Sequence, residues 1–334
     1  MVPDNINTEM PASRFVISLF ATLLILVTVI VSDLQAANKA DTAKEAAKNA
    51  ASKLPITNSA FELFDSGRYL AALERAKELA AEGQPEAHTL IGKIYAEGLG
   101  VGQNLTEAAS WYLKGSELGD KHSQFALGVL LVEGQGVKKN PTLAADYFEA
   151  AAKQGHAQAQ YNLALIYIDG RGRPENLQIS ANWLRKAAEL GNPQAQYDLG
   201  TLFLLGQGVE QDDKIAAEWI GKAAESSFVD AEVEFAIMLF KGQGTEKDTK
   251  KAIQFLYSAA LKGNVIAQNR LARLLFTGTA IKADPVEGAK WHLLARENGI
   301  SDFRLDAMLA RLTPEQRIAA VRAAEEWQSL NLLN

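Results

Sequence analysis

Glycine recurs in this chain at a fixed step of 36 residues, and this period constrains the fold more than any other feature. Six glycines keep the step without an insertion: Gly98, Gly134, Gly170, Gly206, Gly242 and Gly278. Five of them open a Gly-x-Gly sequence. A fixed period of this length is typical of proteins in which each repeat is one supersecondary unit. The sequence therefore predicts a stack of like units, and this overrides the two or three domains that 334 residues would otherwise suggest.

Each repeat predicts two helices. Residues 141–155 carry apolar side chains at helical spacing, after Asn140 and Pro141, which are typical of an N-cap and a first helical position. Gly155 is suited to end this helix, and a second helix is predicted over 157–169, before Gly170. One helix pair cannot bury its apolar faces alone, so neighbouring pairs must stack. The predicted fold is all-α, an α/α superhelical solenoid of stacked helix pairs with a 36-residue period.

The most regular repeats resemble a known family. Residues 157–163 read AQAQYNL, residues 194–200 read QAQYDLG, and GQGV stands at 134–137 and again at 206–209. With these sequences the chain resembles the Sel1-like repeat family, which is related to tetratricopeptide repeats. The resemblance covers about residues 58–312. It implies a scaffold or adaptor that assembles protein complexes, and in bacterial envelopes such proteins restrain sensor kinases or support exopolysaccharide and cell-wall machinery.

Residues 313–334 are predicted to form a C-terminal capping helix. Thr313 and Gln316 have the spacing of a capping box, and Pro314 occupies the first helical position between them. The terminal units of a solenoid must face water, so an atypical closing helix is expected here.

The N-terminal region predicts a membrane-targeting segment within residues 1–35. Residues 15–32 carry no charge and stand between Arg14 and Asp33. Eighteen helical residues span about 27 Å, close to the roughly 30 Å thickness of the hydrocarbon core. An uncleaved anchor and a cleaved signal peptide are both open, and residues 36–57 form an Ala/Lys-rich linker. Either way, we expect the repeat domain outside the cytoplasm, anchored at the membrane or secreted to the periplasm.

Composition and motifs argue against several classes of function. The net charge of −6 gives no basic surface for nucleic acid, and the chain has no cysteine for thiolate chemistry or Cys-ligated metals. The Gly-x-Gly sequences follow helices and lack the remaining residues of a phosphate-binding loop. The histidines lack metal-ligand spacing, and we interpret them as surface or groove residues: His88, His122, His156 and His292. No catalytic residue, metal site or cofactor is predicted.

One aromatic side chain recurs in every repeat and is the candidate partner-binding site. This aromatic column consists of Trp111, Tyr147, Trp183, Trp219, Phe255 and Trp291. The rings either pack each helix against its neighbour or line a groove, where large rings anchor a protein partner. We therefore predict a protein-interaction scaffold or adaptor in the cell envelope, possessing no enzymatic activity. The alternatives are a hydrolase of envelope polymers that uses the superhelical groove, and a structural tether of a membrane complex.

Overall fold

The computed structural model describes residues 59–331, and all regular secondary structure in that range is helical. The chain divides into two units, one up to Arg75 and one from Ala76 onward. The described part of the first unit contains α1 (Ala60–Asp65) and the start of α2 (Tyr69–Ala81). In α1, Ala60 and Leu63 are buried.

The second unit consists mainly of six helix pairs. The first helices of the pairs are α3 (Pro85–Glu97), α5 (Lys121–Glu133), α7 (Ala157–Asp169), α9 (Pro193–Leu205), α11 (Val229–Lys241) and α13 (Val265–Thr277). The second helices are α4 (Leu105–Glu117), α6 (Pro141–Lys153), α8 (Leu177–Glu189), α10 (Asp213–Glu225), α12 (Thr249–Leu261) and α14 (Pro285–Glu297). Helices α15 (Phe303–Ala310) and α16 (Pro314–Asn331) follow. The predicted all-α solenoid of stacked helix pairs is confirmed.

Side chains and glycines at fixed repeat positions define the helix ends. Every second helix has Asn or Asp at its N-cap, and the side-chain oxygen accepts a hydrogen bond from the first turn: Asn104, Asn140, Asn176, Asp212, Asp248 and Asp284. Each such cap contributes about 1 kcal/mol. Every first helix ends at a glycine in the left-handed conformation, as predicted for Gly170, whose φ is 68°. The Gly-x-Gly sequences are therefore helix-ending turns.

The second glycine of each Gly-x-Gly sequence is required by a close contact with the preceding repeat. A Cβ atom on Gly208 would lie 2.4 Å from the carbonyl oxygen of Leu177, in the preceding repeat. The φ of Gly208 is also positive, at 70°. Gly200 has a similar role between helices, because a Cβ there would lie 2.5 Å from Cγ1 of Ile220. Small residues at these positions let the helix pairs approach closely.

A second glycine recurs after the second helix of each repeat, and Ser227 replaces it in one repeat. It stands where the neighbouring repeats have Gly191 and Gly263, and it keeps a positive φ of 65°. A Cβ atom on either of these glycines would meet nothing within 4 Å. Only backbone strain therefore opposes a side chain at this turn.

The C-terminal capping box is confirmed. The backbone N–H of Gln316 donates to Oγ1 of Thr313 at 3.3 Å, and the backbone N–H of Thr313 donates to Oε1 of Gln316 at 3.0 Å. Helix α16 packs against α14, where the rings of Trp327 and Trp291 lie 6.0 Å apart. The last helix thus covers the second helix of the sixth repeat.

The predicted membrane-targeting segment, 15–32, and the linker, 36–57, lie outside the described residues. Among residues 59–331, no helix has the length and apolar composition needed to cross a membrane.

Candidate functional site

The aromatic column lies on the second helices of the six pairs. Five of its rings are half-buried: Trp111, Tyr147, Trp183, Trp219 and Phe255. Trp291 is the exception, with 1% exposure. The column is therefore partly available to a partner in the first five repeats and belongs to the core in the sixth.

Lysines of the same helices cover several rings of the aromatic column. The Nζ atoms of Lys114, Lys186 and Lys222 lie 3.9–4.1 Å from the ring centres of the tryptophans three residues before them. Lys290 lies 4.0 Å from the ring centre of Trp291. These cation–π contacts occupy ring faces that a partner would otherwise use. The partner-binding role of the aromatic column stays a prediction.

A second continuous surface lies on the first helices. Residues at positions 2, 6, 9 and 13 of a helix share one side, because they follow a spacing of four, three and four. On α7, α9 and α11 we call this side the first-helix face: Gln158, Asn162, Leu165, Asp169, Gln194, Asp198, Thr201, Leu205, Asp230, Glu234, Ile237 and Lys241. All of these except Leu165 are at least partly exposed.

Side-chain hydrogen bonds from Tyr161 and Asn192 link α7 and α9 at the first-helix face. The hydroxyl of Tyr161 donates to Oδ2 of Asp198 at 3.0 Å. Nδ2 of Asn192 donates to Oε1 of Gln158 at 3.1 Å. These hydrogen bonds link α7 to α9, and the charge of Asp230 on α11 acts on Asp198 of α9.

The electrostatics of the first-helix face are dominated by carboxyl groups. Burial raises the pKa of Asp198 to about 7, and the nearby charge of Asp230 adds to the effect, while the hydrogen bond from Tyr161 opposes it. Burial also raises the pKa of Glu234, and the positive charges of Lys241 and Arg270 oppose this shift. Within residues 59–331, none of these carboxyl groups forms an ion pair. Among the described residues no cation acts on Asp198, so this carboxyl group favours a ligand that supplies one.

The residue types explain why the sequence did not predict this surface. The sixth position of the first helices reads Leu90, Ala126, Asn162, Asp198, Glu234 and Arg270 along the six repeats. No column of like residues marks it, unlike the aromatic column. A comparison of charge at each repeat position would have found the two acidic members.

Two of the four histidines, His88 and His292, are buried, so the interpretation as surface or groove residues is wrong for these two. His88 packs beside the ring of Trp111, 5.7 Å between centres. His292 is fully buried, and its Nε2 lies 2.9 Å from Oδ1 of Asp306. His156 is half-buried and caps α7, where its Nδ1 accepts from the backbone N–H of Ala159 at 3.2 Å. Burial, together with the nearby charges of His122 and Lys121, lowers the pKa of His156 to about 4.

Within residues 59–331, no group of three or more His, Asp or Glu side chains is placed to hold a metal ion. The described surfaces are instead extended rows of side chains over successive repeats. These features define the class of the molecule, a helical-repeat solenoid.

The family is shown by comparison with known proteins. The Sel1 repeat model matches six consecutive segments: 85–120, 121–156, 157–192, 193–228, 229–264 and 265–300. Each segment runs from the start of one first helix to the end of the turn after its second helix. The chain belongs to the Sel1 repeat family, whose helical repeats, like tetratricopeptide repeats, serve as scaffolds for protein–protein interaction.

Two solved structures share the fold. The structure of c5321, a protective antigen present in uropathogenic Escherichia coli strains, has a TM-score of 0.71 and 29% identity over 85% of this chain and 64% of that one. A Sel1 repeat protein from Oxalobacter formigenes has a TM-score of 0.63 and 30% identity over 73% of this chain and 97% of that one. This chain thus spans less than two thirds of the length of c5321. A search of curated proteins found no match.

Proposed function

We propose that this protein is a scaffold of the bacterial cell envelope that holds another protein along the first-helix face. One observation carries the proposal. The face carries three carboxyl groups on two adjacent first helices, Asp198, Asp230 and Glu234, and Asp198 is buried enough that its pKa is raised to about 7. A carboxyl group at a protein surface is ordinarily hydrated or paired with a cation. A protein partner that places a basic side chain beside Asp198 would supply the missing positive charge.

Apolar side chains beside the carboxyl groups fit the same function. Leu205 ends α9 on the first-helix face and is 51% exposed. Interfaces combine apolar anchors with charge complementarity, the first contributing affinity and the second specificity and rate of association. The partner segment expected here therefore carries both basic and apolar side chains.

The envelope location is supported by the apolar segment 15–32 and by the linker that follows it. A single span places everything after it on one side of the membrane. Fusions of a topology reporter after residue 60 should be active only outside the cytoplasm. Reporter activity in the cytoplasm would exclude the envelope location and leave the scaffold function to stand on the repeats.

Charge reversal tests the binding surface. The double variant Asp230→Lys, Glu234→Lys should weaken capture of the crosslinked partner at least tenfold, because it replaces two negative charges of the first-helix face by positive ones. The control is Glu218→Lys, an exposed carboxylate on the second helix α10. Partner capture is measured by affinity purification from crosslinked membranes, beside circular dichroism of each variant. Equal capture by all three proteins would exclude this face.

A further inference from the structure

The side of α13 that follows the first-helix face carries the opposite charge. On this helix, positions 2, 6, 9 and 13 are Ile266, Arg270, Arg273 and Thr277. Nδ2 of Asn264, the N-cap residue of α13, donates to Oδ1 of Asp230 at 3.4 Å, so α13 lies directly beside α11. The carboxyl groups of α9 and α11 are thus followed by two guanidinium groups on the next first helix.

The two arginines of α13 differ in their partners. Nη2 of Arg273 lies 2.7 Å from Oδ2 of Asp302, and Nε of Arg273 donates to the same oxygen at 2.8 Å. Arg270 forms neither a hydrogen bond nor an ion pair with any residue in the range 59–331. Glu234, at the same position of the preceding first helix, acts on Arg270 through its charge alone. The guanidinium group of Arg270 therefore lacks an acceptor among the described residues.

This guanidinium group is partly desolvated but can be reached by a ligand. Arg270 is half-buried, and its Nε is enclosed without a hydrogen bond from residues 59–331. The two Nη atoms are not enclosed, so they are open to a ligand at the surface. Burial lowers the pKa of Arg270, the charge of Glu234 opposes this shift, and the charge of Arg273 adds to it. Because arginine stays protonated in proteins, the group requires an acceptor.

A carboxylate is the ligand that fits this place. It accepts two parallel, charge-assisted hydrogen bonds from the N–H groups of a guanidinium. The negative charge of Glu234 nearby favours a singly charged carboxylate over a phosphate group. Ile266 stands one turn before Arg270 and is 41% exposed, so it offers an apolar contact beside the carboxylate.

The distance between first helices sets the spacing of charges on the partner. Packed helices lie about 8–10 Å apart, and an extended chain advances about 3.3 Å per residue. Adjacent first helices therefore correspond to about three residues of an extended segment. Asp198, Glu234 and Arg270 share the sixth position of three consecutive first helices. A segment that crosses these helices should present two basic residues and then an acidic one, at intervals of three.

We propose that Arg270 binds a carboxylate side chain of the partner, at one end of an extended segment whose basic residues lie on Asp198 and Glu234. The proposal rests on the proposed scaffold function and names the charge pattern of its partner. Lys or Arg contacts α9, Lys or Arg contacts α11, and Asp or Glu contacts α13. The binding surface then covers three repeats, with a reversal of charge at its last helix.

Synthetic peptides that differ in one charge test the carboxylate. One peptide reads Lys-Leu-Gly-Lys-Leu-Gly-Glu with both ends blocked, and in its control the glutamate is replaced by glutamine. Each is also made in reversed order, because either chain direction crosses the helices. Binding to the full-length protein is measured by fluorescence anisotropy of a dye on the peptide. In one direction at least, the glutamate peptide should bind about tenfold more tightly than the glutamine peptide. Equal affinities, or no binding by any of these peptides, would overturn the proposal.

Variants of the protein make the test specific to Arg270. Arg270→Gln should abolish the difference between the two peptides. Arg270→Glu should reverse it, so that a third peptide with lysine in place of the glutamate binds most tightly. The control is Arg322→Glu, at an exposed arginine of α16, which should bind all peptides as the wild type does. Circular dichroism shows whether each variant is folded, and Arg270→Gln alone decides if Arg270→Glu is not. A wild-type difference between the peptides in Arg270→Gln would refute the site.

Partner capture separates this proposal from the scaffold function. Arg270→Gln should weaken capture from crosslinked membranes, as the charge reversal at Asp230 and Glu234 does. If the charge reversal weakens capture and Arg270→Gln leaves it unchanged, the first-helix face stands and the carboxylate site is refuted. If neither change weakens capture, the first-helix face is excluded together with the site on α13.

Discussion

The aromatic column allows one substitution to be compared in two environments at the same repeat position. Trp291 is 1% exposed and packs edge-on against Trp327, with ring centres 6.0 Å apart. Trp219 is half-buried, and Lys222 covers its ring at 3.9 Å. Replacing each tryptophan by alanine therefore removes the same atoms, from a fully buried site at position 291 and from a half-buried site at position 219.

Trp291→Ala should cost more stability than Trp219→Ala. Truncation of a fully buried tryptophan to alanine costs about 3–5 kcal/mol, which is the expectation for Trp291→Ala. A half-buried ring gives up roughly half of the apolar burial, and an exposed cation–π contact adds about 0.5–1 kcal/mol. Trp219→Ala should therefore cost about 2–3 kcal/mol.

Urea unfolding followed by circular dichroism measures both free energies of unfolding. Repeat arrays can lose cooperativity, so an unchanged m-value in each variant is the condition for comparing them. Equal losses of 3 kcal/mol or more for Trp219→Ala and Trp291→Ala would refute the difference in burial and leave the aromatic column as core throughout. A larger loss for Trp219→Ala than for Trp291→Ala would contradict the described packing altogether.

Three further predictions test the local interactions of the solenoid by the same unfolding assay. Gly208→Ala should lower the free energy of unfolding by more than about 2 kcal/mol, because its Cβ would meet the carbonyl of Leu177. Gly191→Ala also has a positive φ, but its Cβ would lie in open space, so the loss should be about 1 kcal/mol. Equal losses would contradict the contact between repeats. Asn176→Ala should lower the free energy of unfolding by about 1 kcal/mol, because the N-cap hydrogen bond of α8 is lost. An unchanged free energy of unfolding would show that this N-cap does not stabilise the fold. The stability of Asp198→Asn relative to the wild type should increase by about 1 kcal/mol or more when the pH is raised from 5 to 8. The pKa of Asp198 is about 7 in the folded protein and about 4 in the unfolded chain, so the wild type loses stability as the pH rises toward 7. A difference in stability that does not change with pH would refute the raised pKa.

The fold could be predicted from the sequence because its signals are local and repeated. Asn140 before Pro141 marks a helix start, and Gly170 marks a helix end, whatever lies around them. The capping box at Thr313 is likewise a contact between residues close in the chain. Six copies of the same period then require a stack, since no other arrangement buries every pair.

The functional surfaces could not be predicted in the same way, because they depend on differences between repeats. Asp198 is acidic in one repeat, and its raised pKa arises from burial that only the packed helices produce. That Arg270 lacks an acceptor among the described residues is visible only in the structure. The burial of His292 depends on its packing against the helices that follow the last repeat. A repeated pattern specifies the scaffold, whereas the exceptions to the pattern carry the candidate sites.

Site-specific photocrosslinking in intact cells tests the central claim most directly. In one variant a photoreactive amino acid replaces Leu205, on the first-helix face. In a second variant it replaces Glu218, on the second helix α10, and both positions are exposed. If the partner lies along the first-helix face, the probe at position 205 gives a specific adduct with one protein, and the probe at position 218 gives none. An adduct from position 218 alone would contradict this account and place the partner on the side of the aromatic column.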